Sequence, residues 1–191
     1  MFKKKLKEYI DRYVLLDESD FEHFYDSLSI QKFKKKEYLL EKGKICRNYF
    51  FIAEGLVRTY DYNEKGIEKI VQFGIDNWWF TNTDSFINQT KSRLNIQAIE
   101  ETTVLKISKE TLDLIYKEIP KIETLFRIIT EKTLIAQQRS SYFYMKEDSK
   151  TRYYHLVNKI PEFAQRVPQY MIASYLDITP EYLSELRKTS E

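Results

Sequence analysis

The sequence predicts an α+β protein, with a β-rich front half closed as a barrel or sandwich and a helical back half. Three observations carry this reading. All four glycines, Gly43, Gly55, Gly66 and Gly74, fall in one window of the front half, where glycine supplies the positive φ of tight turns between strands. All four prolines, Pro120, Pro161, Pro168 and Pro180, lie in the last 72 residues, where proline opens a helix or ends the segment before it. Between Gln31 and Ile107 the apolar runs are short and rich in β-branched and aromatic residues, whereas after Ser108 their period becomes helical.

Composition sets the outer limits. A chain of 191 residues is one large domain or two small ones. Its 42% hydrophobic and 15% aromatic content supplies a core and argues against disorder. Lys and Arg number 31 against 29 Asp and Glu, a net charge of +2. That excludes a histone-like basic protein and an acidic tail, but leaves room for a local basic surface that meets DNA. The single cysteine, Cys46, excludes a disulfide framework, a cysteine-held iron–sulfur cluster and a four-cysteine zinc site. The opening MFKKKLKEYIDRYVLL reads as neither a signal peptide nor a membrane span, so a cytoplasmic, reducing setting is expected.

Taken in order, Lys5 to about Leu28 reads as one or two helices, with Ile10, Val14, Phe21, Phe24 and Leu28 at helical spacing. Strands are expected at Tyr38–Leu40, Tyr49–Ile52, Leu56–Tyr60, Ile70–Phe73, Leu94–Ile99 and Thr103–Ile107, separated by turn signals such as Glu54-Gly55 and Asn63-Glu64-Lys65-Gly66. Ser108 has the chemistry of an N-cap for a helix carrying Leu112, Ile115 and Tyr116 on one face. Pro120 opens a long helix to about Met145, in which Ile122, Ile129, Ala136 and Phe143 recur every seven residues. A helix of about 25 residues is ~38 Å long, more than one small domain covers, so self-association along it is expected. Lys132 and Arg139 near the seam argue against an extended coiled coil.

The segment IASYLDITPEYLSELRK, Ile172 to Lys188, has the spacing of a helix-turn-helix. Ile172, Ala173 and Leu176 share one face of a first helix, and a turn follows at Asp177-Ile178. Thr179-Pro180-Glu181 then starts a second helix with an N-cap, a proline at the first helical position and an acid near the positive end. Leu183 and Leu186 form that helix's buried face.

This order, together with certain local motifs, resembles the Crp/Fnr superfamily of bacterial transcription regulators. The stretch from Lys42-Gly43 through Tyr49-Phe50-Phe51-Ile52-Ala53-Glu54-Gly55-Leu56-Val57-Arg58 is similar to that family's cyclic-nucleotide-binding signature. Asp84-Ser85-Phe86, the segment Ser92 to Glu100, and Val167-Pro168-Gln169 running into Ile172-Ala173-Ser174-Tyr175-Leu176 resemble its compact members. The resemblance implies a double-stranded β-helix (a jelly-roll-like β-roll) as sensor domain over residues 1–110. It further implies connecting and dimerisation helices over 111–146 and a helix-turn-helix DNA-binding domain over 147–191. Dimerisation would run through Ile122, Leu125, Ile129, Ala136 and Phe143.

The family's phosphate cassette falls on Trp78 to Phe86 and Arg93. Arg93 matches the phosphate-binding arginine, whose forked guanidinium suits an anion. Thr81 and Asn82 stand where the family has Gly and Glu, which removes the close backbone approach and a ribose partner, so cyclic AMP is not expected in the usual manner. The effector residues implied are Arg93, Thr81, Asn82, Thr83 and Ser85, with the effector itself unknown. No resident cofactor or metal is expected. His23, His155 and Cys46 sit in no ligand motif, and no P-loop, Rossmann fingerprint, HExxH or GxSxG marks an enzyme.

In the second helix Glu181 matches the family's glutamate, while Pro180 and Glu185 occupy positions that hold Arg in cyclic-AMP-type readers. DNA contacts are expected from Gln169, Thr179, Glu181, Tyr182, Ser184, Glu185 and Lys188, with phosphate contacts from Lys146, Lys150, Arg152 and Arg166. Yet Gln169 to Glu191 holds two basic residues, Arg187 and Lys188, against the acidic Asp177, Glu181, Glu185 and Glu191. Phosphate neutralisation supplies most non-specific DNA affinity, so this surface is poor in what DNA demands. Two functions stay open. One is a homodimeric, effector-responsive transcription regulator that binds double-stranded DNA, with RNA polymerase as a further partner. The other is a dimeric ligand-sensing or protein-interaction module whose helix-turn-helix no longer reads DNA.

Overall fold

A computed structural model describes residues 1–188. Two helices open the chain, α1 (Phe2–Ile10) and α2 (Glu18–Asp26). Eight strands and one short helix follow: β1 (Ser29–Phe33), β2 (Tyr38–Leu40), β3 (Asn48–Glu54), β4 (Leu56–Tyr62), β5 (Glu68–Ile75), β6 (Trp78–Phe80), α3 (Thr83–Asn88), β7 (Asn95–Ala98) and β8 (Thr102–Ser108). The helical part runs α4 (Lys109–Glu118), α5 (Pro120–Lys146), α6 (Ser149–Lys159), α7 (Pro161–Arg166), α8 (Gln169–Leu176) and α9 (Pro180–Lys188).

The strands form two four-stranded antiparallel sheets, ordered β1-β8-β3-β6 and β2-β7-β4-β5. This is the β-roll expected from the sequence. Every strand anticipated there is present, and β1 and β6 are additional. In the first sheet β3 sits between β8 and β6, with Phe51 opposite Leu105 and Trp79, so all three lie in register across the buried centre. Gly55 makes the one-residue link from β3 to β4. Its φ is +120°, and a Cβ there would lie 2.5 Å from Thr102 Oγ1 and 2.7 Å from Thr102 Cα. Both the dihedral and the crowding require glycine.

The chain groups into two compact units, residues 1–60 with 73–131, and residues 61–72 with 132–191. The first contains the core of the roll, α1, α2, α4 and the front half of α5. Its aromatic centre is Trp79, which faces Phe126 at 4.8 Å, Phe51 at 5.4 Å and Tyr49 at 5.6 Å between ring centroids. Burial pushes the Tyr49 phenol up to about 12, so it stays protonated at physiological pH. The Trp78-Trp79-Phe80 run therefore does not enter the core as one block. Trp78 is 44% exposed, while its neighbours Trp79 and Phe80 are both buried.

Ser108 caps α4 as expected, its Oγ accepting the Thr111 N–H at 3.0 Å. Helix α5 spans 27 residues and belongs to both units. Ile122, Leu125, Phe126 and Ile129 are buried in the core of the first unit. Beyond Thr130 the helix is exposed nearly all round, with Leu134, Ile135, Tyr142 and Met145 as its solvent-facing apolar residues.

In the second unit α5 ends against α6. Phe143 packs on His155 with ring centroids 4.5 Å apart, and Asp148 caps α6 by accepting the Thr151 N–H at 2.8 Å. That bond holds the Asp148 carboxyl below the usual carboxylate range. Arg152 donates to the Tyr144 carbonyl near the C-terminal end of α5, where a cation is favoured, and covers the Tyr144 ring.

Candidate nucleic-acid interface and effector cassette

Helices α8 and α9 meet as the sequence spacing requires. Asp177 adopts the left-handed conformation (φ 55°, ψ 44°) and turns the chain, and the Ile178 N–H donates to Ala173 O at 3.0 Å. Thr179 Oγ1 then accepts the Tyr182 N–H at 3.2 Å and starts α9. Met171, Ile172, Ala173 and Leu176 of α8 and Leu183 and Leu186 of α9 are buried, fixing the pair by its apolar faces. What remains outward on α9 is Glu181, Tyr182, Ser184, Glu185, Arg187 and Lys188, with Thr179 and Pro180 leading into it.

Six of the seven residues expected to contact DNA, Thr179, Glu181, Tyr182, Ser184, Glu185 and Lys188, are thus exposed together on one short element. Gln169 is not displayed with them. It opens α8 half-buried, and its Oε1 is buried without a hydrogen bond among the described residues. Of the cations expected to meet phosphate, Lys146 and Lys150 are exposed, Arg152 is committed to Tyr144, and Arg166 is half-buried and engaged. The acidic excess on this face is partly answered within the unit, because Lys69 pairs with the Asp177 carboxylate. Glu191, the last residue of that acidic window, lies outside the described residues.

The segment read as an effector cassette is built by β6, α3 and the approach to β7, and the side chains of Thr81, Asn82 and Ser85 bind their own chain. Thr81 Oγ1 donates to Asn48 O at 3.0 Å and lies 3.2 Å from Cys46 Sγ. Asn82 caps α3, its Oδ1 accepting the Ser85 N–H at 3.0 Å. The Ser85 hydroxyl is buried, accepts the Cys46 N–H at 2.8 Å and donates to Thr90 O at 2.6 Å. Thr83 is exposed at the start of α3.

Arg93 is also exposed and has no hydrogen-bonding or ionic partner among the described residues. The inward side chain at this place is Ser92, 4% exposed, whose backbone bonds Gly43 and Lys44 at 2.8 Å. The arginine that the sequence reading assigns to phosphate is thus exposed, and its neighbour Ser92 is the buried side chain. Residues 93 and 94 lie in a bend just before β7, where strand alternation cannot set the phase.

A different buried cation went unread. Arg58 on β4 stands opposite Gln97 on β7, and its Nη2 and Nε donate to Gln97 Oε1 at 2.7 and 3.1 Å. Its guanidinium lies 4.2 Å from the centroid of the Tyr60 ring, whose hydroxyl is 3.1 Å from that of Tyr38. The alternation Arg58-Thr59-Tyr60 was the available signal that these side chains share one face. Elsewhere His23 Nε2 is 2.7 Å from Glu118 Oε2, and Cys46 Sγ donates to Asn48 O. Among the described residues no group of three or more His, Cys, Asp or Glu is placed to hold a metal ion, and no helix is long and apolar enough to cross a membrane.

Comparison with known proteins agrees with this geometry. Residues 30–118 match the family model of the cyclic nucleotide-binding domain. No curated protein matches the chain in sequence. Among solved structures, FixK2 from Bradyrhizobium japonicum is 16% identical with a TM-score of 0.72, over 85% of this chain and 83% of that one. The c-di-GMP-responsive global regulator CLP of Xanthomonas campestris is 16% identical with a TM-score of 0.71, over 91% of each chain. A CooA mutant from Carboxydothermus hydrogenoformans is 17% identical with a TM-score of 0.69, over 87% and 78%. At these identities the likeness is one of fold.

Proposed function

From a chain with the fold of the Crp/Fnr regulators, and with a cyclic nucleotide-binding domain match over residues 30–118, we propose a homodimeric, DNA-binding transcription regulator. The observation that carries the proposal is the pair α8 and α9, with its left-handed Asp177 turn, Thr179 cap and outward polar face on α9. That face enters the major groove, with Glu181 accepting from a base amino group and Tyr182, Ser184, Glu185 and Lys188 beside it. Lys146 and Lys150 add phosphate contacts. Two copies associate through the exposed half of α5 and read two half-sites about one helical turn apart. The roll responds to a small-molecule effector, and because Thr81, Asn82 and Ser85 are bonded to their own chain, that effector is not held as cyclic AMP usually is. The setting is cytoplasmic, with RNA polymerase as a partner on the promoter.

The acidic pair Glu181 and Glu185 on the same face favours the second reading, a dimeric sensing or interaction module that has left DNA behind. Selection from a random duplex library at moderate salt separates the two. Enrichment of a pseudo-palindrome whose binding weakens steeply with salt is the expected result. A library that stays random, with and without candidate nucleotides, would leave the interaction module as the function.

A further inference from the structure

Strand β5 is the outermost strand of its sheet, so one edge has no neighbouring strand to bond. In the second unit that edge is met by a side chain of α8. The Ser174 hydroxyl donates to the Glu68 carbonyl at 2.8 Å and accepts the Ile70 N–H at 3.2 Å. Residues 68 and 70 are two apart, so their edge groups point the same way, and a hydroxyl, being both donor and acceptor, satisfies the two at once. Between them Lys69 reaches the carboxylate of Asp177, the left-handed residue that turns α8 into α9. Three successive residues of one hairpin thus hold the first helix and the turn of the helix-turn-helix.

We propose that the β4–β5 hairpin is a clasp on the helix-turn-helix, with Ser174 as its catch and the Lys69–Asp177 pair as its guide. The fastening is built to open. Water replaces both hydrogen bonds of a sheet edge without leaving a buried group unpaired, and an exposed ion pair is weak and screened by salt. Opening frees α8 and the turn from the hairpin, so the mobility of α9 follows the state of the clasp. The consequence for DNA rests on the reading of α8 and α9 given above; the clasp itself does not.

The test is amide hydrogen exchange on the full chain without DNA, so a failure of the DNA reading leaves it intact. Ser174→Ala keeps a good helix former in α8 and removes both hydrogen bonds. Exchange at the Ile70 amide and at the α8 amides is expected to quicken about tenfold, while the amides of β3 and β8 stay as they are. Lys69→Met and Asp177→Asn, the second chosen because Asn tolerates the left-handed turn, each quicken the same amides, and the double variant is no faster than either alone. Unchanged exchange at Ile70 and α8 in Ser174→Ala would overturn the proposal. So would Lys69→Met and Asp177→Asn effects that simply add, since the two charges would then act on separate structures.

Discussion

Single residues carry more of this fold than their size implies, and Gly74 shows why. A Cβ at this position would stand 2.5 Å from Phe80 Cδ2 and 2.8 Å from Ile52 Cδ1, so its missing methyl group is the space that lets the Phe80 ring seat against β3. Gly74→Ala is expected to destabilise the chain by about 1–3 kcal/mol through overpacking, with partial recovery in combination with Phe80→Leu, as read from urea unfolding. Local chemistry of this kind is legible in sequence when it acts through the backbone next door. Ser108, Thr179 and Asp177 were read as two caps and a turn, and the structure has all three. What depends on the phase of a bend was not legible. Ser92 and Arg93 are adjacent and both polar, and only the bonding of Ser92 to Gly43 and Lys44 decides which of them points inward.

Among the elements, α5 best shows what periodicity can and cannot say. The seven-residue recurrence of Ile122, Ile129, Ala136 and Phe143 was read, together with Leu125, as a seam for a second copy. A stripe of apolar residues identifies a buried face without naming what buries it. Here Ile122, Leu125 and Ile129 are spent on the chain's own core, Phe143 packs on His155, and Ala136 alone of the five stands open. The surface free for a partner is instead Leu134 and Ile135, 54% and 45% exposed, continuing to Tyr142 and Met145. Replacing Leu134 and Ile135 together with Glu is expected to leave the far-ultraviolet spectrum intact and to weaken self-association at least about 100-fold, as seen by sedimentation. A wild-type chain that sediments as a monomer at micromolar concentration would refute the dimer. Strands β1 and β6 escaped the sequence reading for a related reason. Both are short edge strands, β1 is mostly exposed, and β6 is three aromatic residues with no room to show an alternation.

At the level of the whole molecule, the near-neutral charge of the sequence becomes a distribution. The face of α9 carries Glu181 and Glu185 beside Arg187 and Lys188, and Asp177 is taken up by Lys69, so this helix offers DNA little net attraction. The proposed regulator would therefore draw specificity from base contacts more than from charge. The class of fold was legible because glycine and proline segregate along the chain and the apolar period changes at Ser108. The grouping into units was not, because it depends on which buried faces meet. Helix α5 has a practical consequence in this respect. Its front half completes the core of the roll while its back half belongs to the unit that also holds residues 61–72, so the chain is not modular in the order in which it is read. A fragment ended at residue 110 loses Leu112, Ile115, Ile122, Leu125, Phe126 and Ile129 from that core and is expected to show no cooperative melting, whereas one ended at residue 131 keeps them and melts cooperatively. Transplanting the roll onto another domain would need its seam cut inside a helix, not at a loop.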